Sequence, residues 1–104
     1  MKDITVDELK QKMEGGGTLN LIDCREPHEY AESNIAGGRL FPLGKIQTMQ
    51  TEELDHLKEE EIIIYCRSGR RSMMACMVLD QLGFKNTVNV TGGILAWQEK
   101  YGVK

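Results

Sequence analysis

The chain has 104 residues, 28% of them charged and 40% apolar, with a formal net charge of −3. That is the profile of one ordinary globular domain, expected to span residues 1–104, and not of a disordered segment. The mild acidity excludes a global attraction for nucleic acid or an anionic membrane, and no apolar run has the length of a membrane-spanning helix.

Thr5-Val6-Asp7-Glu8 has capping-box spacing, and Val6, Leu9 and Met13 recur at helical intervals, which predicts a first helix. This N-terminal stretch is acidic and lacks the apolar core of a secretion signal, so the expected location is cytoplasmic. Gly15-Gly16-Gly17 should stop the helix, and residues 19–23 read as a short strand. Pro27, tolerated at a first helical position, can open a short helix after Glu26. Asn34 to Gly38 reads as a turn, residues 39–41 as a strand, and Gly44 to Lys58 as a poorly defined helix.

The clearest strand is Ile62-Ile63-Ile64-Tyr65, apolar on both faces as a buried parallel strand is. Cys66 ends it. After a glycine-containing loop, Ser72 to Leu82 reads as a helix with Gly83 as its stop signal. Residues 87–90 read as a last strand, and Thr91 is the expected cap of a final helix running toward Tyr101, with Gly102 beyond. Strands alternating with helices predict an α/β fold with a parallel sheet covered on both faces.

The odd count and wide spacing of Cys24, Cys66 and Cys76 speak against a disulfide framework. With no Cys/His cluster, neither a metal site nor a cofactor is expected, and His28 and His56 read as surface residues. Cys24 and Cys76 read as core residues. Met73, Met74 and Met77 read as core filling or as a partner-facing surface. Chemistry concentrates instead in Cys66-Arg67-Ser68-Gly69-Arg70-Arg71-Ser72, between a buried strand and a helix start. Ligands of open α/β sheets bind beyond the carboxyl ends of the strands. A helix N-terminus there offers free N–H groups, Gly69 lets the backbone turn them inward, and Arg67, Arg70 and Arg71 add positive charge. All of these favour an anion and a thiolate at Cys66, hence an activated nucleophile.

Four segments in order resemble the rhodanese-homology domain over nearly the whole chain. They are Leu21-Ile22-Asp23-Cys24-Arg25-Glu26 with Glu29-Tyr30, Asn34 to Gly38, Cys66 to Ser72, and Val88 to Trp97 with its Gly92-Gly93 pair. The resemblance implies a five-stranded, mainly parallel sheet with helices on both faces. It implies a sulfurtransferase in which Cys66 carries a persulfide between a small anionic donor, thiosulfate or a persulfide, and a thiol acceptor of the thioredoxin-like or sulfur-carrier kind. On that reading the backbone of residues 67–71 holds the anion, Arg67, Ser68, Gly69, Arg70 and Arg71 bind substrate, and Asp23, Arg25 and Ser72 support the loop. A monomer with no nucleic-acid or membrane partner is expected. Many relatives carry His where Asn34 stands and an aliphatic residue where Cys24 stands. The alternatives are a cysteine-loop phosphatase or arsenate reductase, and a non-catalytic sulfur-relay or regulatory module. Phosphatase loops place Arg six residues after Cys; here that residue is Ser72, and Arg71 comes one early.

Overall fold

The structure, a computed structural model, describes residues 1–102. In chain order the elements are β1 (Lys2–Ile4), α1 (Val6–Glu14), β2 (Leu21–Asp23), α2 (Pro27–Glu32), β3 (Arg39–Leu40), α3 (Leu43–Gln47), a 3-10 turn (Glu52–Leu57), β4 (Glu61–Tyr65), α4 (Arg70–Gln81), β5 (Asn86–Val90) and α5 (Gly93–Tyr101). The strands form one sheet in the order β1-β5-β4-β2-β3, with every neighbouring pair parallel.

The triple isoleucine strand explains why both faces are covered. Ile62 and Ile64 point into a cluster with Phe41, Ile46, Leu54, Ala75, Cys76 and Leu79, beneath α3 and α4. Ile63 and Tyr65 point the other way, toward Leu9, Val88, Ile94 and Trp97, beneath α1 and α5. Successive strand residues face opposite sides, so a strand buried on both must be apolar throughout.

Several boundaries differ from expectation for physical reasons. β1 carries no apolar alternation; it exists because Lys2, Asp3 and Ile4 pair with Val88, Asn89 and Val90 at the sheet edge. The expected helix over 44–58 breaks in two at Met49, whose φ is +61°. There the Thr48 hydroxyl donates back to Gly44 O (2.8 Å), competing with helix continuation. α4 begins at Arg70, two residues earlier than predicted, behind Gly69 at φ +106°. Thr91 does not cap α5. Left-handed Gly92 does, while the Thr91 hydroxyl donates to Ile4 O (3.1 Å) and ties β1 down. The first helix follows the predicted capping box, with Thr5 and Glu8 bonding reciprocally at 2.9 and 3.1 Å.

The topology places the site. From β2 the chain runs outward to β3; from β4 it runs the opposite way, to β5. The connections diverge between β2 and β4, and ligand crevices of such sheets open at that switch point. The residues just past those two strand ends are Cys24 and Cys66.

Candidate active site

Cys66 directly follows the central strand, β4, and is 1% exposed. Gly69 N–H donates to its sulfur at 3.1 Å, and the Ser72 Oγ lies 3.4 Å away. The left-handed turn at Gly69 brings that N–H back over the sulfur and starts α4, whose first N–H groups have no partner within the helix. These surroundings hold the Cys66 pKa far below the ordinary thiol value of 9.0, at about 4. The largest cause is the Cys24 thiol acting as hydrogen-bond donor. Burial opposes it, and the Ser72 hydroxyl and the Ser72 and Gly69 N–H groups assist it. Cys24, fully buried, shifts the opposite way: its thiol is held protonated by that hydrogen bond, by burial and by the negative charge on Cys66.

The three loop arginines separate. Arg71 forms a two-pronged ion pair with Glu29 at 2.8 and 2.9 Å, tying α4 to α2. Glu29 in turn accepts from Glu26 N–H (3.0 Å), and its carboxyl is held at about 2, chiefly by Arg71. Arg67, Ser68 and Arg70 lie exposed around the loop, and neither Arg67 nor Arg70 has an ion-pair partner among the described residues.

Asp23 and Arg25 are brought together beneath the site, not on the loop. Arg25 clasps the Asp23 carboxylate, with its closest contact at 2.7 Å, and donates to Ser33 O at 2.7 Å. Its guanidinium lies 5.8 Å from the Tyr65 ring centroid, and the Tyr65 hydroxyl accepts Ile35 N–H at 3.0 Å. This buried network fixes the ends of β2 and β4, so it braces the root of the loop. Asn34 donates to Tyr30 O at 3.0 Å. Cys76 is buried in the core, with its thiol pushed up to about 12, chiefly by burial.

Residues of the Val88 to Trp97 segment, to which the sequence reading gave no role in the site, also build it. α5 begins directly behind the loop, where Ile94 N–H donates to Cys66 O (2.9 Å) and Leu95 N–H to Arg67 O (3.1 Å). The approach is so close that a Cβ on Gly93 would stand 2.5 Å from both carbonyl oxygens. The Gly-Gly motif is visible in sequence, but the partner it approaches is not. Asn89 is the other addition: its Oδ1 lies 2.5 Å from Ser72 Oγ and competes with the Cys66 sulfur for the single hydroxyl proton, and its Nδ2 donates to Asp3 at 3.2 Å. A polar residue between Val88 and Val90, near the carboxyl end of β5, was the available signal. Among the described residues, no group of three or more His, Cys, Asp or Glu side chains could hold a metal ion.

A family model, the Rhodanese-like domain, matches residues 5–100. This chain belongs to the rhodanese-like family. Among rhodanese-like relatives, "Putative sulfurtransferase YtwF" of Bacillus subtilis (strain 168) is 45% identical over 98 residues, covering 94% of this chain and 91% of that protein. A protein named "Sulfurtransferase" from Allochromatium vinosum is 34% identical, covering 93% of this chain and 88% of the other. The crystal structure of a rhodanese-like domain protein from Staphylococcus aureus superposes with a TM-score of 0.86 at 33% identity, over 100% of this chain and 97% of that one. The rhodanese-like sheet expected from the sequence is therefore the one observed, with all its pairings parallel. No helix among the described residues is long and apolar enough to cross a membrane.

Proposed function

We propose that this chain is a sulfurtransferase in which Cys66 takes sulfane sulfur from a small anionic donor, thiosulfate or a persulfide, and passes it to a thiol acceptor. The observation that carries the reading is the state of the Cys66 sulfur. It sits under a loop whose Gly69 N–H already points at it from 3.1 Å, with Ser72 Oγ at 3.4 Å, in surroundings that favour the thiolate. In the first half-reaction the thiolate attacks the outer sulfur of thiosulfate. A new S–S bond forms, the donor's own S–S bond breaks, and sulfite leaves with the electron pair. The charge then sits on the terminal sulfur, in reach of the loop and the start of α4, where preorganised donors stabilise it. In the second half-reaction an acceptor thiolate attacks that terminal sulfur and Cys66 departs as a thiolate, a role its low pKa favours.

The pairing of Arg71 with Glu29 speaks against the phosphatase alternative, since this guanidinium is committed to a carboxylate. The test is a sulfite measurement. Thiosulfate added without acceptor should release one equivalent of sulfite per chain, and Cys66→Ser should release none. A chain that neither releases sulfite from thiosulfate nor carries sulfur from a persulfide to a thiol would overturn the proposal.

A further inference from the structure

Cys24 enters the chemistry above only as a neighbour that favours the Cys66 thiolate. β2 and β4 pair in parallel register through Leu21↔Ile63, Ile22↔Ile64 and Asp23↔Tyr65, so the next pair along is Cys24 and Cys66. The ladder continues into it, because Cys24 N–H donates to Tyr65 O at 3.0 Å. Both side chains point to the same face, in the cluster that contains Ile22 and Ile64. Neighbouring strands run about 5 Å apart, within the Cα separation that a disulfide spans. Two thiols are thus side by side at the crevice. Cys66 is 1% exposed and Cys24 is fully buried.

We propose that Cys24 is a resolving cysteine that converts the Cys66 persulfide into free sulfide and an internal Cys24–Cys66 disulfide. The inference rests on the persulfide reading of Cys66. Cys24 stands beside Cys66 Sγ at the level of the strand ends, whereas the added sulfur stands beyond them in the loop. The attack therefore falls on Sγ. The Cys24 Sγ–Cys66 Sγ bond forms, the bond from Cys66 Sγ to the outer sulfur breaks, and that sulfur leaves with the electron pair. It carries away the Cys24 proton as HS⁻. The persulfide is itself the oxidised partner, so no outside oxidant is needed. A dithiol reductant then reopens the disulfide and becomes a disulfide itself, returning both cysteines to thiols. The net reaction makes sulfide from donor sulfur at the expense of one dithiol.

The loading step also frees the attacking group. In the resting chain the Cys66 charge and hydrogen bond keep Cys24 protonated, alongside burial and the Asp23 carboxylate, with only Arg71 favouring ionisation. Once sulfur is added, Cys66 Sγ is neutral and the charge lies one atom farther away. The strongest restraint on Cys24 is thereby relaxed only in the loaded state.

The experiment uses the full chain, reduced and then freed of reductant under nitrogen, and treated with thiosulfate without acceptor. Intact mass and sulfide are followed for the wild type, Cys24→Val and Cys24→Ala, with thermal unfolding to verify that each variant is folded. The wild type should end two hydrogens lighter, with a peptide linking residues 24 and 66 and one equivalent of sulfide. The Cys24 variants, whose less stabilised Cys66 thiolate loads more slowly and is given correspondingly longer, should end one sulfur heavier, with sulfide at background. A wild-type chain that stays one sulfur heavier and releases no sulfide overturns the resolving role and leaves Cys66 as carrier. Failure of wild type and both folded variants to take up sulfur or release sulfite overturns the carrier reading and this inference together.

Discussion

The site depends on pairs of residues, each setting the state of the other. With Cys24 held protonated and Cys76 pushed up to about 12, Cys66 is the one thiol expected to ionise at mild acid pH. The thiolate absorbance of the reduced chain should therefore disappear as pH falls through about 4, not through the ordinary 9.0. Cys24→Val removes the largest stabiliser of that thiolate, so the same titration should move to higher pH. An unmoved inflection would show that the loop N–H groups and Ser72 suffice. The Asp23–Arg25 pair has a different role. Both residues are almost completely buried, at 0% and 4% exposure. Removing one partner of such a pair leaves the other charge stranded, which costs about 3–5 kcal/mol. Asp23→Ala should therefore lower the unfolding midpoint severely, as read by denaturant titration. A loss near that of an exposed ion pair would contradict its bracing role.

The elements were legible where their pattern is local. Ile62 to Tyr65 announces a strand buried on both faces, and the stretch from Ser72 announces a helix, so the loop bearing Cys66 could be placed from sequence. Register is not local. Nothing in the order of residues shows that Cys24 lies beside Cys66, that Glu29 reaches Arg71, or that Asn89 meets Ser72. Nor do Lys2, Asp3 and Ile4 look like a strand until β5 lies alongside. The start of α5 was misread for the same reason. A capping Thr91 is good local chemistry, but the chain needs two left-handed glycines to approach the Cys66 loop. Two predictions belong at this scale. Gly93 has φ +55°, and an added methyl would strike backbone oxygens at 2.5 Å. Gly93→Ala should cost more than about 2 kcal/mol and reduce the sulfite burst. Gly16→Ala, also at positive φ but with nothing within 4 Å, should cost only about 1 kcal/mol and leave the burst intact. The clasp between α2 and α4 is the second case. Glu29 is held at about 2 in the folded chain, against an ordinary 4.5. A depressed carboxyl contributes stability above its unfolded value and loses it as pH falls toward the folded one. The wild type should thus lose this contribution between about pH 4.5 and 2, whereas Glu29→Gln, lacking it at neutral pH by about 1 kcal/mol, should show a shallower acid dependence over that window.

For the molecule as a whole, the charge distribution works against the net charge. A chain of −3 should repel a dianion such as thiosulfate at a distance, yet Arg67 and Arg70 stand exposed beside the crevice without carboxylate partners among the described residues. Salt screens exposed charges over about 8 Å at physiological ionic strength, so these arginines act only on a donor already near the loop. On the proposed mechanism their effect belongs to encounter and ground-state binding, because charge developing on sulfur during transfer would be met by the N–H donors closer in. Arg67→Gln and Arg70→Gln should therefore raise the KM for thiosulfate more than they lower kcat, and the difference should shrink as salt rises. An uncharged donor should be little affected. Arg71→Gln should behave differently from both: it releases Glu29 and lowers stability, as thermal unfolding would register. With each variant that still turns over, the proposed parking of sulfur on Cys66 between half-reactions requires double-reciprocal lines that stay parallel as the acceptor is varied. Intersecting lines would mean that donor and acceptor are held together, and would count against a covalent carrier. Unchanged thiosulfate kinetics in both Arg67→Gln and Arg70→Gln would leave the Gly69 loop and the start of α4 as the whole of the anion site.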